Sequence, residues 1–303
     1  MSSQPPWLAK LGLFTAFALI CLIWGSTFMA IRIGVQDLPP ALMAGFRFLI
    51  AAGLLGLVAL AFGQRPRGRA DWLAATIMGL LLVAAGNGLV TWAEQWVPSN
   101  QAALLITTGA MWITLFGSLG PNGHRITPRI GIGLVVGLAG AAMMLAPQNG
   151  LDLQYLWAQI VILASSVGWA LGTTYRRNIK VKTGPLMFAA MQMFTGGLIL
   201  TVIGLAAGEL SEWQWTAPGI GAMAYLTIFG SCIAYAFYVW LIDRTTPARL
   251  GATAYIVPAI ATVLGWWLLD ETLQGIQFIG VFVIIVGVIL VTTPARRRRS
   301  AGD

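Results

Sequence analysis

The chain has 303 residues, of which 58% are apolar and 9% charged, with a formal net charge of +8 and a mean hydropathy of +0.80. A soluble domain carries about 25% charged residues, so a chain this long with so few cannot cover a water-facing surface. This excludes a soluble enzyme, a nucleic-acid-binding domain and a disordered chain, and leaves an integral membrane protein.

A membrane-spanning helix needs about 20 apolar residues. Ten stretches free of Asp, Glu, Lys and Arg are candidates: 11–31, 48–64, 72–93, 95–124, 130–151, 153–175, 183–208, 213–242, 250–269 and 272–295. The second is short, but it extends back through Arg47 to Pro39-Pro40, and proline suits a helix start. The first is too long for the apolar part of a signal peptide, and nine more spans come after it. Ten helices fill the chain and leave no room for a soluble domain. Cys21 and Cys232 each fall inside a span and read as packing residues, with neither disulfide nor metal-site spacing. No metal and no cofactor is expected.

An even number of spans puts both ends on one side. With the N-terminus in the cytoplasm, the inner segments hold Lys10, Arg65, Arg67, Arg69, Arg125, Arg129, Arg176, Arg177, Lys180, Lys182, Arg244, Arg249 and Arg296 to Arg299. Only Arg32 and Arg47 fall on the outer side, with the acids Asp37, Glu94, Asp152, Glu209, Glu212, Asp270 and Glu271. Cytoplasmic loops carry the basic excess, so the net charge is a topology signal. Nothing in it calls for a nucleic-acid partner. The expected setting is the bacterial inner membrane, with the lipid bilayer as the surrounding partner.

The chain also repeats itself. Trp24 matches Trp169 and Pro40 matches Pro185 at an offset of 145; Gly133 matches Gly280 and Gly140 matches Gly287 at 147; Pro98 matches Pro247 at 149. Residues 1–148 and 149–303 therefore read as two copies of one five-helix unit. Because five is odd, the second copy enters the membrane in the opposite sense, as in secondary transporters with inverted repeats. The fold class expected is all-α integral membrane, ten helices as two inverted five-helix repeats around a central cavity.

Trp24-Gly25-Ser26-Thr27-Phe28 with Arg32 and Gly34, then Pro39-Pro40 and Arg47-Phe48, resembles the opening of EamA-type members of the drug/metabolite transporter superfamily. Asp270-Glu271-Thr272-Leu273 with Gly280 and Gly287 resembles that family's repeat ending. The resemblance covers essentially the whole chain and lies nearest the amino-acid and small-metabolite exporters, including the YddG-like ones. It implies export of metabolites, often amino acids, through a cavity between the halves. The first repeat departs from the pattern: Gly123-His124 stands where an acidic pair is usual, and Gly109 stands where the second repeat has Pro258. The latter predicts a fourth span less kinked than the ninth.

Polar side chains inside spans need partners or water. In the third span Asn87, Thr91 and Gln95 recur at i, i+4 and i+8 with Glu94 beside them; in the eighth, Thr227, Ser231, Tyr235 and Tyr238 share one face. This paired stripe predicts a wet cavity, with interhelical hydrogen bonding as the alternative. Trp24 and Trp169 lie roughly 21 Å from their helix starts by the helical rise, where an indole can stack on a solute and donate one N–H, or simply pack. The substrate-binding candidates are Trp24, Asn87, Thr91, Trp112, Trp169, Ser231, Tyr235 and Tyr238. Met111, Thr107, Thr108, Tyr255, Met191 and Gln192 are weaker. Arg32 and Arg47 are expected to snorkel to the outer surface, with carboxylate binding at the outer mouth as an alternative for Arg47. The glycines of the fifth and tenth spans read as scaffold contacts.

No phosphate-binding G-x-x-x-x-G-K-[ST] loop occurs, and no His, Cys, Asp or Glu cluster in the spans offers catalytic chemistry. No Asp, Glu or Lys is expected mid-membrane, and Glu94 falls at the outer interface. The expected function is export of amino acids, aromatic or otherwise neutral, or similar small metabolites by alternating access, as a facilitator able to work as a monomer. Multidrug efflux and a non-transport sensor or scaffold are the alternatives.

Overall fold

A computed structural model describes residues 6–97, 99–119, 123, 125–144, 155–268 and 275–292. Pro98, His124, Asp152, the junction of the two repeats, Asp270 to Leu273 and Arg296 to Arg299 fall outside the described residues, as do the side chains of residues 6–10. Among the described residues every regular element is helical. In chain order, α1 is Pro6–Gly34, α2 Pro40–Ala61, α3 Gly68–Ala93, α4 Ser99–Thr107, α5 Gly109–Gly117 and α6 Pro128–Met144. The second half holds α7 Leu156–Asn178, α8 Pro185–Ala206, α9 Ala217–Ile242, α10 Pro247–Gly251, α11 Thr253–Leu268 and α12 Gly275–Thr292.

Among the described residues, six helices are long and apolar enough to cross a membrane: Leu11–Gly34 within α1, then α2, α3, α7, α8 and α9. The fourth and ninth expected spans are interrupted at single residues, Thr108 between α4 and α5 and Ala252 between α10 and α11. These interruptions are 144 positions apart. After each, two successive turns hang on the interrupting carbonyl: Met111 N and Trp112 N donate to Thr108 O, and Tyr255 N and Ile256 N donate to Ala252 O. Thr108 and Ala252 both keep right-handed helical dihedral angles, so the chain tightens there without leaving the helix; the ninth span also holds Pro258, inside α11.

Two further irregularities match in the same way. Gly79–Gly88 of α3 and Leu226–Ala234 of α9 wind as π-helix, a conformation concentrated at functional sites.

The starts of α2 and α8 explain how the halves lock together. Each begins with proline at its first helical position after a residue with no side-chain oxygen, Pro39 and Gly184, so neither caps itself. The caps come from the other half. Glu209 accepts from Ala41 N (3.3 Å) and Leu42 N (2.8 Å), and Gln64 Oε1 accepts from Leu186 N (3.1 Å) and Met187 N (3.2 Å). Gly63 (φ 72°) and Gly208 (φ 78°) turn the chain just before these capping residues, a left-handed conformation that glycine adopts without strain.

Lipid is as apolar as a leucine side chain, so close packing holds such a bundle. Along α2 and α8, Ala44, Phe48, Ala51 and Leu55 join Met187, Phe188, Ala190 and Met191 in one core. Between α6 and α12 the backbones themselves meet: a Cβ added at Gly140 would lie 2.7 Å from Ile284 N, and one at Gly287 would lie 2.7 Å from Gly137 Cα. Phe14, Leu57 and Phe282 point outward from the bundle, each more than two-thirds exposed.

Candidate functional site

A cavity of about 130 Å³ lies among α1, α3, α4, α5, α7 and α11. Its aromatic wall is Trp24 and Trp169, whose rings meet edge to face at 5.4 Å. Phe28, Ile31, Val90, Ile106, Ile113 and Val257 supply apolar surface; Thr27, Asn87, Ser165, Ser166 and Thr253 supply polar atoms. Both interruptions open onto it, through Ile106 and Gly109 on one side and Thr253 and Ala254 on the other. No lining residue is ionisable.

The hydrogen bonds determine what this lining offers a solute. Thr27 donates to Trp24 O (2.7 Å), Ser165 to Ile162 O (2.7 Å), Ser166 to Ile162 O (3.4 Å) and Thr253 to Leu250 O (2.7 Å). With their protons turned back to the helix, these hydroxyls present lone pairs. Both indole N–H groups are also engaged, Trp24 with Gly230 O at 3.3 Å and Trp169 with the Tyr238 hydroxyl at 2.5 Å. The tryptophans therefore offer ring surface, and the single indole donor expected of each is already in use.

Asn87 is the exception. It sits in the π-helical turn of α3, with Nδ2 donating to Leu82 O five residues back (3.0 Å) and Oδ1 accepting from Arg47 Nη2 (3.0 Å). Arg47 corrects the snorkelling expectation. It is 3% exposed, it lies over the Phe48 ring at 4.5 Å, and its Nε has no partner among the described residues. Asn87 on the neighbouring helix holds the guanidinium inside the bundle. Arg32 is half-buried and donates to Glu94 O (2.6 Å) and Gln95 O (3.3 Å), so that it caps the end of α3. Glu94 stands at that helix end, as the sequence suggests, but it is fully buried and neither carboxylate oxygen has a partner among the described residues.

Of the residues singled out from sequence, Trp24, Asn87 and Trp169 line this cavity. Thr91, Ser231, Tyr235 and Tyr238 do not. Thr91 is buried and donates to Asn87 O (2.9 Å). Ser231 is buried with its hydroxyl unpartnered among the described residues. Tyr235 donates to Gln192 Oε1 (3.1 Å), and Tyr238 pairs with Thr173 (2.9 Å) beneath Trp24 and Trp169, 5.0 Å from each ring. Trp112 stacks on Phe116 at 5.9 Å, away from the cavity. Sequence reasoning missed Thr27, Phe28, Ile31, Ser165 and Ser166. The signal was present: the first three lie three, four and seven residues after Trp24, and the serines three and four before Trp169, on the tryptophans' own helix faces.

The EamA-like transporter family model matches residues 10–146 and again residues 156–293. The chain belongs to the EamA-like transporter family. This EamA-family chain is 38% identical over 284 residues to YedA, an uncharacterized inner membrane transporter of Escherichia coli, with 93% of this chain and 91% of that one covered. It is 25% identical to the uncharacterized transporter YvbV of Bacillus subtilis, over 94% of this chain and 92% of the relative. It is 24% identical to a probable amino-acid metabolite efflux pump of Escherichia coli, over 93% and 95% of the two chains. One crystal structure superposes with a TM-score of 0.78 at 21% identity, covering 95% of this chain and 99% of its own, and so shares the fold. The chain is accordingly a membrane transporter.

Proposed function

We propose that this transporter exports neutral amino acids or similar small metabolites across the bacterial inner membrane by alternating access. In this reading ten helical passes form two inverted five-helix repeats around the cavity, with both termini cytoplasmic. The observation that carries it is the cavity itself. It is framed by two tryptophans 145 positions apart and by two helix interruptions 144 apart. A site built from equivalent pieces of two oppositely inserted units can open to either side by exchanging their shapes. The double family match and the reciprocal caps of α2 and α8 support the same division. The cavity of about 130 Å³ is small against the roughly 300–1,000 Å³ of drug-sized pockets, which favours a small metabolite over multidrug efflux.

The lining without an ionisable group supports facilitated flow down the solute gradient, since coupling to protons normally places such a group on the pathway. The test uses the purified protein in liposomes loaded with labelled amino acids. Efflux is expected, and a protonophore at fixed solute gradient is expected to leave it unchanged. Absence of efflux for every amino acid overturns the transport reading; collapse under the protonophore overturns the facilitator reading.

A further inference from the structure

The inside of the bundle holds a cation to which no acid among the described residues is hydrogen-bonded: Glu94 faces its charge through space but does not contact it. Arg47 is enclosed, yet its hydrogen-bond partner is the neutral Asn87 oxygen, and its Nε is unpartnered among the described residues. Among those residues the ion pair formed is Arg176 with Asp243, elsewhere in the chain. Glu94, the nearby acid, makes no hydrogen bond through either oxygen. A buried guanidinium is costly unless paired, and Arg is the side chain suited to grip a carboxylate through two parallel bonds. Between Arg47 and the cavity stands Asn87, whose Oδ1 occupies the position an acceptor oxygen would take.

The remaining lining has complementary chemistry. The hydroxyls of Thr27, Ser165, Ser166 and Thr253 have already donated to backbone carbonyls and present acceptor lone pairs. Those suit an ammonium group. Trp24 and Trp169 present ring faces and edges, which suit an apolar or aromatic side chain. The donor function the cavity otherwise lacks is concentrated at Asn87 and, behind it, Arg47. One cation fits a monoanion; a phosphate dianion needs more, and Arg32 is already committed to the end of α3.

We infer that Arg47 is the carboxylate receptor of the cavity, displacing the Asn87 oxygen for a solute carboxylate. It would make the carrier selective for α-amino acids with uncharged side chains over their amides and amines. This rests on the transport reading above and adds the group that is recognised and the residue that recognises it.

The test compares phenylalanine, leucine and threonine with their amides, and phenylalanine with phenethylamine, in proteoliposome efflux by the full-length protein. Quenching of tryptophan fluorescence gives an independent binding readout. The wild type is expected to prefer each acid over its amide by at least about tenfold, the range of a hydrogen bond to a charged group. Arg47→Gln is expected to bring that ratio to about one, and Arg47→Lys to fall between. A wild type that carries amides and phenethylamine as well as the acids overturns the inference without any variant. So does a monodisperse Arg47→Gln protein that keeps the wild-type ratio. If no compound moves or quenches, the transport reading itself fails, which is a different result from transport without carboxylate selectivity.

Discussion

The two halves of the chain share a frame and differ in chemistry. At the frame level the correspondences are close. Arg32, in the last turn of α1, caps the end of α3; Arg177, in the last turn of α7, donates to Thr245 O at the end of α9. Gln64 and Glu209 exchange caps across the halves. At the cavity level the correspondence breaks. Arg47 has Gln192 as its counterpart at an offset of 145, and Asn87 has Ser231 at 144. In the first half the pair is a cation on an amide; in the second, Gln192 accepts from Tyr235 and Ser231 has no partner among the described residues. Symmetry is retained at the helix ends that set the shape of the bundle, and relaxed at these buried polar pairs.

The largest test of this comparison is the tryptophan pair. Trp169 meets Trp24, Tyr235 and Tyr238 and makes the short hydrogen bond, whereas Trp24 meets Trp169 and Tyr238 and bonds at 3.3 Å. Trp169→Ala is expected to cost about 3–5 kcal/mol and Trp24→Ala less, read as loss of monodisperse protein on heating in detergent. Equal losses would mean that the two walls carry equal loads. Next in size is Gln192→Ala, which leaves the buried Tyr235 hydroxyl without its acceptor, at about 1–3 kcal/mol. Unlike Arg47→Gln, it is expected to lower thermal stability without altering the acid-to-amide ratio. A change in that ratio would place recognition in both halves. Smallest are the caps. Glu209→Ala and Gln64→Ala are each expected to cost about 1 kcal/mol. Glu209 loses slightly more, because its charge also meets a helix N-terminus. Hydrogen exchange at Leu42 and at Met187 reads each cap separately.

Much of this frame was legible in the residues. The charges mark out the six long spans, and the match of Trp24 with Trp169 and of Pro40 with Pro185 agrees with the double family match. The deep tryptophans led to the cavity because an indole so far from the interface needs a reason to be there. The stripes through Thr91, Ser231, Tyr235 and Tyr238 led elsewhere. A period of 3.6 residues identifies a face only while the helix keeps that pitch. The π-helical turns at 79–88 and 226–234 place more residues in each turn and rotate the residues beyond them, so Asn87 lines the cavity while Thr91 does not. Periodicity also cannot separate a wet face from a dry one when the polar groups satisfy each other, as Tyr238 does with Trp169 and Thr173. Arg47 was misread because snorkelling assumes no nearer partner, and Asn87 on another helix is one.

The reciprocal caps also bear on the order of assembly. The amides of Ala41 and Leu42 wait for Glu209, synthesised more than 160 residues later, while Leu186 and Met187 look back to Gln64. Each half lacks, among its own described residues, the cap for the start of its second helix. A severed chain is therefore expected to regain both caps only when the two fragments are present together.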